Sequence, residues 1–196
     1  MRRRPDTIAF HEGDILPHWE VADGRYFVTL RQAESLPPRV VERLRERARR
    51  TSSRPNATGR SLFRLTERAL DRCAGPADLT RPDIADMLIE AISFREERAE
   101  WMMLAYVLMP NHLHLFFRLV KGRLMKTMIG FKQWTGRRAA DLLSRSGDRF
   151  WQREWFDHWS RSRIQDERIV AYIRHNPVKA GLVKDYEEWP YGSWNA

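Results

Sequence analysis

Two adjacent apolar runs, separated by a Pro-Asn pair, place the strongest constraint on the fold of this chain. They extend from Trp101 to Leu119 and read WMMLAYVLMPNHLHLFFRL. Proline followed by asparagine is typical of a turn, so the segment predicts two neighbouring strands, the second of which begins at His112. We therefore expect the domain to be built around this pair of strands.

The side chains of the second strand alternate between two faces. One face is apolar and predicts core; it carries Leu113, Leu115 and Phe117. The other face carries His112, His114, Phe116 and Arg118. The two imidazoles leave the backbone only about 7 Å apart, so they can hold one divalent ion at roughly 2.1 Å from each nitrogen. The His-x-His pattern is equally typical of two histidines on the solvent-exposed face of a hairpin. A metal site therefore needs a second motif elsewhere in the chain to support it.

The net positive charge of the chain indicates which kinds of molecule it could bind. Its 35 lysines and arginines exceed its 26 aspartates and glutamates, which gives a formal net charge of +9. This excess favours a polyanion such as nucleic acid, because the planar guanidinium donates two hydrogen bonds to a phosphate, although an arginine-rich proteome would leave the same imbalance. The single cysteine excludes an internal disulfide framework and a multi-cysteine zinc site.

Length and composition predict one folded domain. The 196 residues are 42% hydrophobic, and we expect an irregular N-terminal arm at residues 1–23 followed by one catalytic domain at residues 24–196. No apolar run is long enough to span a bilayer, and the basic N-terminus is not followed by an apolar segment, so we expect no membrane partner and a cytoplasmic location. The sequence leaves open whether the protein is a monomer or a homodimer.

Several further elements are expected before the histidine strand. In chain order they are a strand at Gly24–Arg31, a basic helix at Pro38–Arg50, a surface loop at residues 51–60 and a short helix at Leu62–Leu70. The strand is expected to pair with the histidine strand. A better helix follows, opened by a capping box of Thr80 and Asp83. Its inward face is expected to hold Ile84, Met87, Leu88, Ala91 and Ile92.

Beyond the histidine strand, an amphipathic helix is predicted from Leu124 toward Leu143, with basic residues interleaved with Phe131 and Trp134. Cations and flat rings together are typical of a surface that follows a nucleic-acid backbone and stacks on bases, although a solvated helix face has the same composition. The candidate DNA contacts of the chain are Arg118, Lys121, Arg123, Lys126, Lys132, Arg137, Arg138 and Arg174. His158, in an aromatic segment beside Asp157, is interpreted as structural.

A last helix is predicted from Asp166 to Pro177, which ends it because the residue before a proline avoids the helical region. Tyr172 and Asn176 are four residues apart, so they lie on one helical face. A phenol is a poor nucleophile at its ordinary pKa near 10, and a divalent ion acting on the attacked phosphate would help it. In isolation each residue is better explained structurally: Tyr172 as an ordinary half-buried ring, and Asn176 as a cap for the turn that follows.

Read together, the two motifs resemble one family. The segment MPNHLHL at residues 109–115 and the segment YIRHNPVKAGLV at residues 172–183 closely resemble the REP-associated tyrosine transposases, within the single-tyrosine HUH superfamily. The resemblance covers most of the chain from about Gly24 onward.

The resemblance implies specific roles. His112 and His114 would bind Mg²⁺ or Mn²⁺, Asn176 would be a third ligand, and Tyr172 would form a 5′-phosphotyrosine link with single-stranded DNA at a hairpin. It also implies an α+β fold of the ferredoxin-like kind, an antiparallel sheet with helices packed on one face. The polar face of the histidine strand would be open to DNA, with the tyrosine helix lying across it.

Two alternatives remain open at this point. The same fold could grip DNA or structured RNA without cutting it. Alternatively, His112, His114 and Asp157 could form the ligand set of an unrelated metallohydrolase.

Overall fold

The computed structural model describes residues 7–12, 17–51, 55–72 and 75–195. The strands in these ranges are β1 (Thr7–Glu12), β2 (Pro17–Val21), β3 (Arg25–Arg31), β4 (Trp101–Met109), β5 (His112–Leu119) and β6 (Phe156–Ser160). The helices are α1 (Pro38–Thr51), α2 (Pro55–Leu70), α3 (Pro82–Glu97), α4 (Leu124–Leu142) and α5 (Arg163–Lys179). None of these helices has both the length and the apolar character needed to cross a membrane.

A four-stranded antiparallel sheet forms the centre of the fold and confirms the predicted α+β class. Its strand order is β4-β5-β3-β6. β4 and β5 flank the predicted turn at Pro110 and Asn111, and β3 pairs with the other side of β5, as expected. In this register Thr29 lies opposite His114, and Arg31 lies opposite His112.

One face of the sheet contributes to the main core. Leu113, Leu115 and Phe117 are completely buried there, beneath α3 and α4. The predicted inward face of α3 is confirmed, because its five apolar residues are buried in the same cluster. Burial of each large apolar side chain stabilises the fold by about 1.5–3 kcal/mol, so this layer fixes the position of β5.

The opposite face is covered rather than open. α5 lies across it, as predicted, and Ile173 of this helix packs with Phe27 and Phe116 of the sheet. α2 joins the same layer through Phe63, which meets Phe27 edge-on at 5.9 Å between ring centroids. The expectation of a solvent-open histidine face is therefore wrong: the packing of α2 and α5 leaves His112 and His114 buried.

The start of α3 differs from the predicted capping box. The helix begins at Pro82, and Arg81 occupies the preceding position without a side-chain cap. Proline is favoured at the first helical position because an N–H there would have no intrahelical partner. Asp83 instead pairs with Arg81 at 2.8 Å and accepts a hydrogen bond from the backbone N–H of Ile84 at 3.0 Å.

Two predicted irregular segments contain regular structure. The N-terminal arm was expected to be irregular, yet β1 and β2 pair in antiparallel fashion; residues 1–6 and 13–16 of the arm lie outside the described residues. The loop expected at residues 51–60 is wrong in its second half, because α2 begins at Pro55. Residues 52–54 also lie outside the described part.

Pro177 does not end the last helix, which continues to Lys179. The turn that follows Pro177 is held by bonds from the N–H of Ala180 to Asn176 O and from the N–H of Leu182 to Pro177 O, both at 3.0 Å. A proline inside a helix removes one backbone donor and crowds the carbonyl of residue i−4, and burial of the Pro177 ring acts against this cost.

The C-terminal segment covers the free edge of β4. The N–H of Leu108 donates to Tyr191 O at 2.8 Å, and the N–H of Ser193 donates to Tyr106 O at 3.0 Å. Trp189 adds a bond from its Nε1 to Leu108 O at 2.8 Å. An exposed strand edge invites pairing with other chains, so this segment protects the strand next to the histidines.

Candidate metal and nucleophile site

His112 and His114 are oriented by contacts at their Nδ1 atoms. Nδ1 of His112 lies 2.7 Å from Oδ1 of Asn111, whose own Nδ2 donates to Leu70 O at 3.0 Å. Nδ1 of His114 lies 2.9 Å from Oγ1 of Thr29. Because an amide oxygen only accepts, Nδ1 of His112 carries the proton, and its Nε2 presents a lone pair to the site.

The third group at the site is a carboxylate that the sequence interpretation missed. Glu67 reaches in from α2, and its Oε2 lies 3.1 Å from Nε2 of His114. One ligand atom each from Glu67, His112 and His114 lies within 4.8 Å of the other two. Two ligands on opposite sides of an ion at roughly 2.1 Å each are ~4.2 Å apart, so only a small contraction would bring all three onto one ion.

A signal for Glu67 does exist in the sequence. Phe63, Glu67 and Leu70 are spaced by four and three residues, so they share one face of α2. A carboxylate on the apolar face of an amphipathic helix is unusual unless it has a partner in the core.

Unsatisfied polar atoms indicate what this site can hold. Nε2 of His112 and Oε1 of Glu67 are buried without a hydrogen-bond partner among the described residues, and the contact between Nε2 of His114 and Glu67 does not have hydrogen-bond geometry. Buried polar atoms are nearly always paired, and leaving one unpaired costs about 1–3 kcal/mol. Two imidazole nitrogens and a carboxylate oxygen form a donor set that divalent cations accept. These residues therefore fit a metal ion.

The electrostatics favour the protonation states that bind metal. Burial lowers the pKa of His112 to about 3, and the neighbouring His114 adds to this effect. Burial alone would raise the pKa of Glu67, but the charges of His114 and His112 and the hydrogen bond from Tyr172 together outweigh burial and lower that pKa to about 2. The ionised carboxylate of Glu67 and the neutral imidazole of His112 are the forms that coordinate a cation.

Tyr172 meets the same carboxylate. Its hydroxyl donates a hydrogen bond to Oε2 of Glu67. Its ring packs edge-on against Phe27 and His114, at centroid distances of 5.8 and 5.5 Å. Burial, followed by the negative charge of Glu67, raises the pKa of the phenol well above its ordinary value. The phenol therefore keeps its proton unless positive charge is brought close to it.

Asn176 lies one turn after Tyr172, on the face that the sequence predicts. It is completely buried, and neither atom of its amide makes a hydrogen bond of normal geometry to a described residue. The amide is nevertheless close enough to the Tyr172 hydroxyl to act on the pKa of the phenol, in the lowering direction that opposes Glu67.

Asp157 does not join the site. It lies opposite Val28, whose side chain is in the main core, whereas His114 lies opposite Thr29. Neighbouring residues of a strand face opposite sides of a sheet, so Asp157 and His114 are on different faces. This geometry removes the metallohydrolase alternative based on His112, His114 and Asp157.

Comparison with known proteins identifies the family. The family described as "Transposase IS200 like" matches residues 77–176, about half of the chain, and this segment includes His112, His114 and Tyr172. The chain belongs to the IS200-like transposase family. Glu67 precedes the matched segment, so the family match does not extend to it.

Two bacterial relatives agree with the resemblance seen in the motifs. The transposase is 25% identical over 136 residues to the candidate REP-associated tyrosine transposase of Haemophilus influenzae, a match that covers 60% of this chain and 74% of the relative. It is 30% identical over 99 residues to the REP-associated tyrosine transposase of Escherichia coli K12, covering 46% of this chain and 53% of that protein. The resemblance to this group is confirmed.

A solved structure supports the fold of the transposase. The structure of a REP-associated tyrosine transposase bound to a REP hairpin aligns with a TM-score of 0.58 and 18% identity. The alignment covers 99% of this chain and 81% of that one. At this identity the likeness concerns the arrangement of helices and strands.

The basic residues singled out in the sequence lie on both sides of the sheet. Arg118 of β5 shares the histidine face, and Arg174 lies on α5, which covers that face. α4 lies on the opposite side, where Lys126, Arg137 and Arg138 are exposed. The structure therefore does not bring the basic surface of α4 next to Tyr172.

Three other predicted DNA contacts have partners within the transposase. Nζ of Lys132 donates to Gln152 O at 2.8 Å and to Arg153 O at 2.6 Å. Nε of Arg123 lies 2.9 Å from a carboxylate oxygen of Glu20. Nζ of Lys121 reaches Arg98 O at 3.5 Å. Lys132 thus ties α4 to the segment before β6.

Proposed function

We propose that this transposase cleaves and rejoins single-stranded DNA at a hairpin, through a covalent 5′-phosphotyrosine at Tyr172 and with a divalent metal ion. One observation carries the proposal: the Tyr172 hydroxyl donates to Glu67, the same carboxylate that faces the two histidines. A nucleophile and a metal-ligand set that share one carboxylate can act on a single phosphate.

Glu67, His112 and His114 would hold the ion, and Oδ1 of Asn176 would be a further ligand. The buried amide oxygen of Asn176, which has no partner of normal geometry, supports its inclusion. A carboxylate, an amide oxygen and imidazoles together suit Mg²⁺ or Mn²⁺. When bound, the ion would polarise the scissile phosphate and offset the negative charge of Glu67 beside the phenol.

The chemical step exchanges one ester for another. A bond forms between the phenolic oxygen of Tyr172 and phosphorus while the bond from phosphorus to the 3′ oxygen breaks. The phenol gives up a proton and the leaving 3′ oxygen takes one up, so the step is balanced. Attack by the 3′ hydroxyl of another strand reverses these changes, joins the two strands and releases Tyr172.

The surrounding side chains prepare the nucleophile. Glu67 fixes the direction of the Tyr172 hydroxyl, and the edge-on contacts with Phe27 and His114 restrict rotation of the ring. Holding a nucleophile near its attack geometry lowers the entropic part of the barrier.

Hairpin DNA is the proposed substrate. The solved relative is bound to a REP hairpin, and the net charge of +9 on this chain suits a polyanion. α4 lies on the opposite side of the sheet from Tyr172. Its residues would therefore bind the hairpin, while the single-stranded part of the DNA extends to Tyr172. The proposed contacts are Arg118, Lys121, Arg123, Lys126, Arg137, Arg138 and Arg174. Lys132 is left out because two carbonyl groups already bind its ammonium.

A covalent adduct tests the proposal. DNA that co-purifies with the protein is sequenced, and a shared hairpin is synthesised with a fluorescent label. With Mg²⁺ or Mn²⁺ we expect a labelled adduct that survives denaturation and disappears after protease treatment. Tyr172→Phe should bind the hairpin and form no adduct. Tight binding by the wild type with no adduct in either metal would favour the non-cleaving binding protein and overturn the proposal.

A further inference from the structure

Two arginines line a small pocket beside the proposed metal site. The pocket has a volume of about 80 Å³, and Glu67, Arg31 and Arg45 contribute to its walls. A single water needs only ~10–15 Å³, so the space can admit a larger group. Phe63 and Phe156, stacked at 4.1 Å between centroids, form an apolar wall.

The sheet register brings Arg31 to this position. Arg31 ends β3 directly opposite His112 in the neighbouring strand. Side chains of directly opposed residues start about 4.5–5.5 Å apart and point to the same face. Arg31 therefore begins beside a proposed metal ligand, whereas Arg45 reaches the pocket from α1.

Among the described residues, neither guanidinium group forms an ion pair with Glu67 or Glu154, the two carboxylates that line the pocket. Burial lowers the pKa of Arg31, Arg45 lowers it further, and Glu154 acts in the opposite direction. Among the described residues Arg31 makes no ion pair. Arg45 has a contact of 3.6 Å with Glu42, and its buried Nε has no hydrogen-bond partner in the part of the chain that the structure describes. Two partly buried cations held close together are unfavourable unless an anion joins them.

We propose that Arg31 and Arg45 bind the DNA phosphate next to the one attacked by Tyr172. This inference rests on the proposed function, because it takes single-stranded DNA as the substrate. The planar guanidinium donates paired hydrogen bonds to phosphate oxygens. By holding the neighbouring phosphate, the pair sets the register in which the strand crosses the metal site, so both arginines are positioning residues.

Binding to a fluorescent oligothymidylate tests the pair without any knowledge of the natural hairpin. Arg31→Gln and Arg45→Gln should each weaken binding by roughly 10- to 100-fold, the usual effect of losing hydrogen bonds to a charged group. Each should also reduce the slope of log K against log salt, by up to ~0.7 for one phosphate contact on a single strand. Arg49→Gln is the matched control, since it removes the same charge from an exposed position one turn further along α1.

An uncharged phosphate analogue tests which phosphate of the DNA Arg31 and Arg45 bind. A hairpin oligonucleotide carrying a methylphosphonate next to the cleaved phosphate should form the Tyr172 adduct more slowly than the normal oligonucleotide with wild-type protein. With Arg31→Gln or Arg45→Gln, the same replacement should cause little further loss. Arg31→Lys keeps the positive charge but loses the paired hydrogen bonds of the guanidinium, so it should form the adduct faster than Arg31→Gln and more slowly than the wild type.

Thermal stability separates positioning from a structural role. Because the two cations repel each other, Arg45→Gln should not lower the melting temperature. A lower melting temperature together with an unchanged salt slope would overturn the proposal.

Other results would also contradict a phosphate-binding role for Arg31 and Arg45. Equal affinity and salt slope in Arg45→Gln and Arg49→Gln would overturn the proposal even when the wild type forms its adduct normally. A methylphosphonate effect that persists in full in Arg31→Gln would do the same. If the wild type forms no adduct with any hairpin, the proposed function fails, while the oligothymidylate comparison still decides whether the arginines bind phosphate.

Discussion

Removing the charge of Glu67 perturbs the proposed metal site selectively. Glu67→Gln keeps the shape of the side chain, and its amide oxygen can still accept the hydrogen bond from Tyr172. Groups that merely orient a metal ligand change metal affinity by ~10–100-fold. A carboxylate that binds the ion directly should exceed this range, so we expect Mn²⁺ affinity to fall by at least ~100-fold, about 2.7 kcal/mol.

Isothermal titration calorimetry with Mn²⁺ measures this effect. Glu154→Gln is the matched control, because Glu154 lines the same pocket as Glu67 but is not part of the ligand cluster. Glu67 raises the pKa of Tyr172 through its charge and its hydrogen bond, so Glu67→Gln should also shift tyrosinate absorbance to lower pH. If Glu67→Gln binds Mn²⁺ as tightly as the wild type, Glu67 is not a ligand.

Three further predictions address other parts of the account. Asn111→Ala should weaken Mn²⁺ binding by ~10–100-fold, since it removes the group that orients His112; unchanged affinity in calorimetry would contradict this. In metal-free protein, burial lowers the pKa of His112 from 6.5 to about 3. Below pH 6.5 the unfolded chain therefore binds a proton at this histidine that the folded protein does not. The free energy of unfolding should fall as the pH drops from 6.5, by up to ~4–5 kcal/mol. The melting temperature of His112→Asn should depend less on pH than that of the wild type. Identical pH profiles for the two proteins would contradict this prediction. Arg137→Gln and Arg138→Gln should each reduce the salt slope of hairpin binding by about 0.7–0.9, and wild-type slopes would remove α4 from the DNA surface.

The parts of the fold that follow from local pattern could be predicted from the sequence. The alternation from His112 to Phe117 sets which face of β5 meets the core, because strand side chains alternate regardless of what packs on them. The four-residue spacing of Tyr172 and Asn176 likewise places both on one helical face. The pairing of β3 with β5 also followed from two apolar strands that each needed a neighbour.

The rest depends on contacts between segments that are distant in sequence. Glu67 reaches His114 because α2 packs on the polar face of the sheet, and the polar composition around residues 51–60 concealed the start of that helix. The basic face of α4 is visible in the sequence, but the side of the sheet on which it packs is a property of the tertiary fold. For the same reason, Asp157 looked available to the histidines until the register of β6 placed it on the other face.

The most direct test of the account is to identify the residue that becomes covalently joined to DNA. The adduct formed on a labelled hairpin in Mn²⁺ is digested with protease and nuclease, and the peptides are analysed by mass spectrometry. We expect the nucleotide on the peptide that contains Tyr172, and no adduct from Tyr172→Phe. A nucleotide on Tyr186 or Tyr191, or an adduct that survives the Tyr172→Phe substitution, would contradict the central claim.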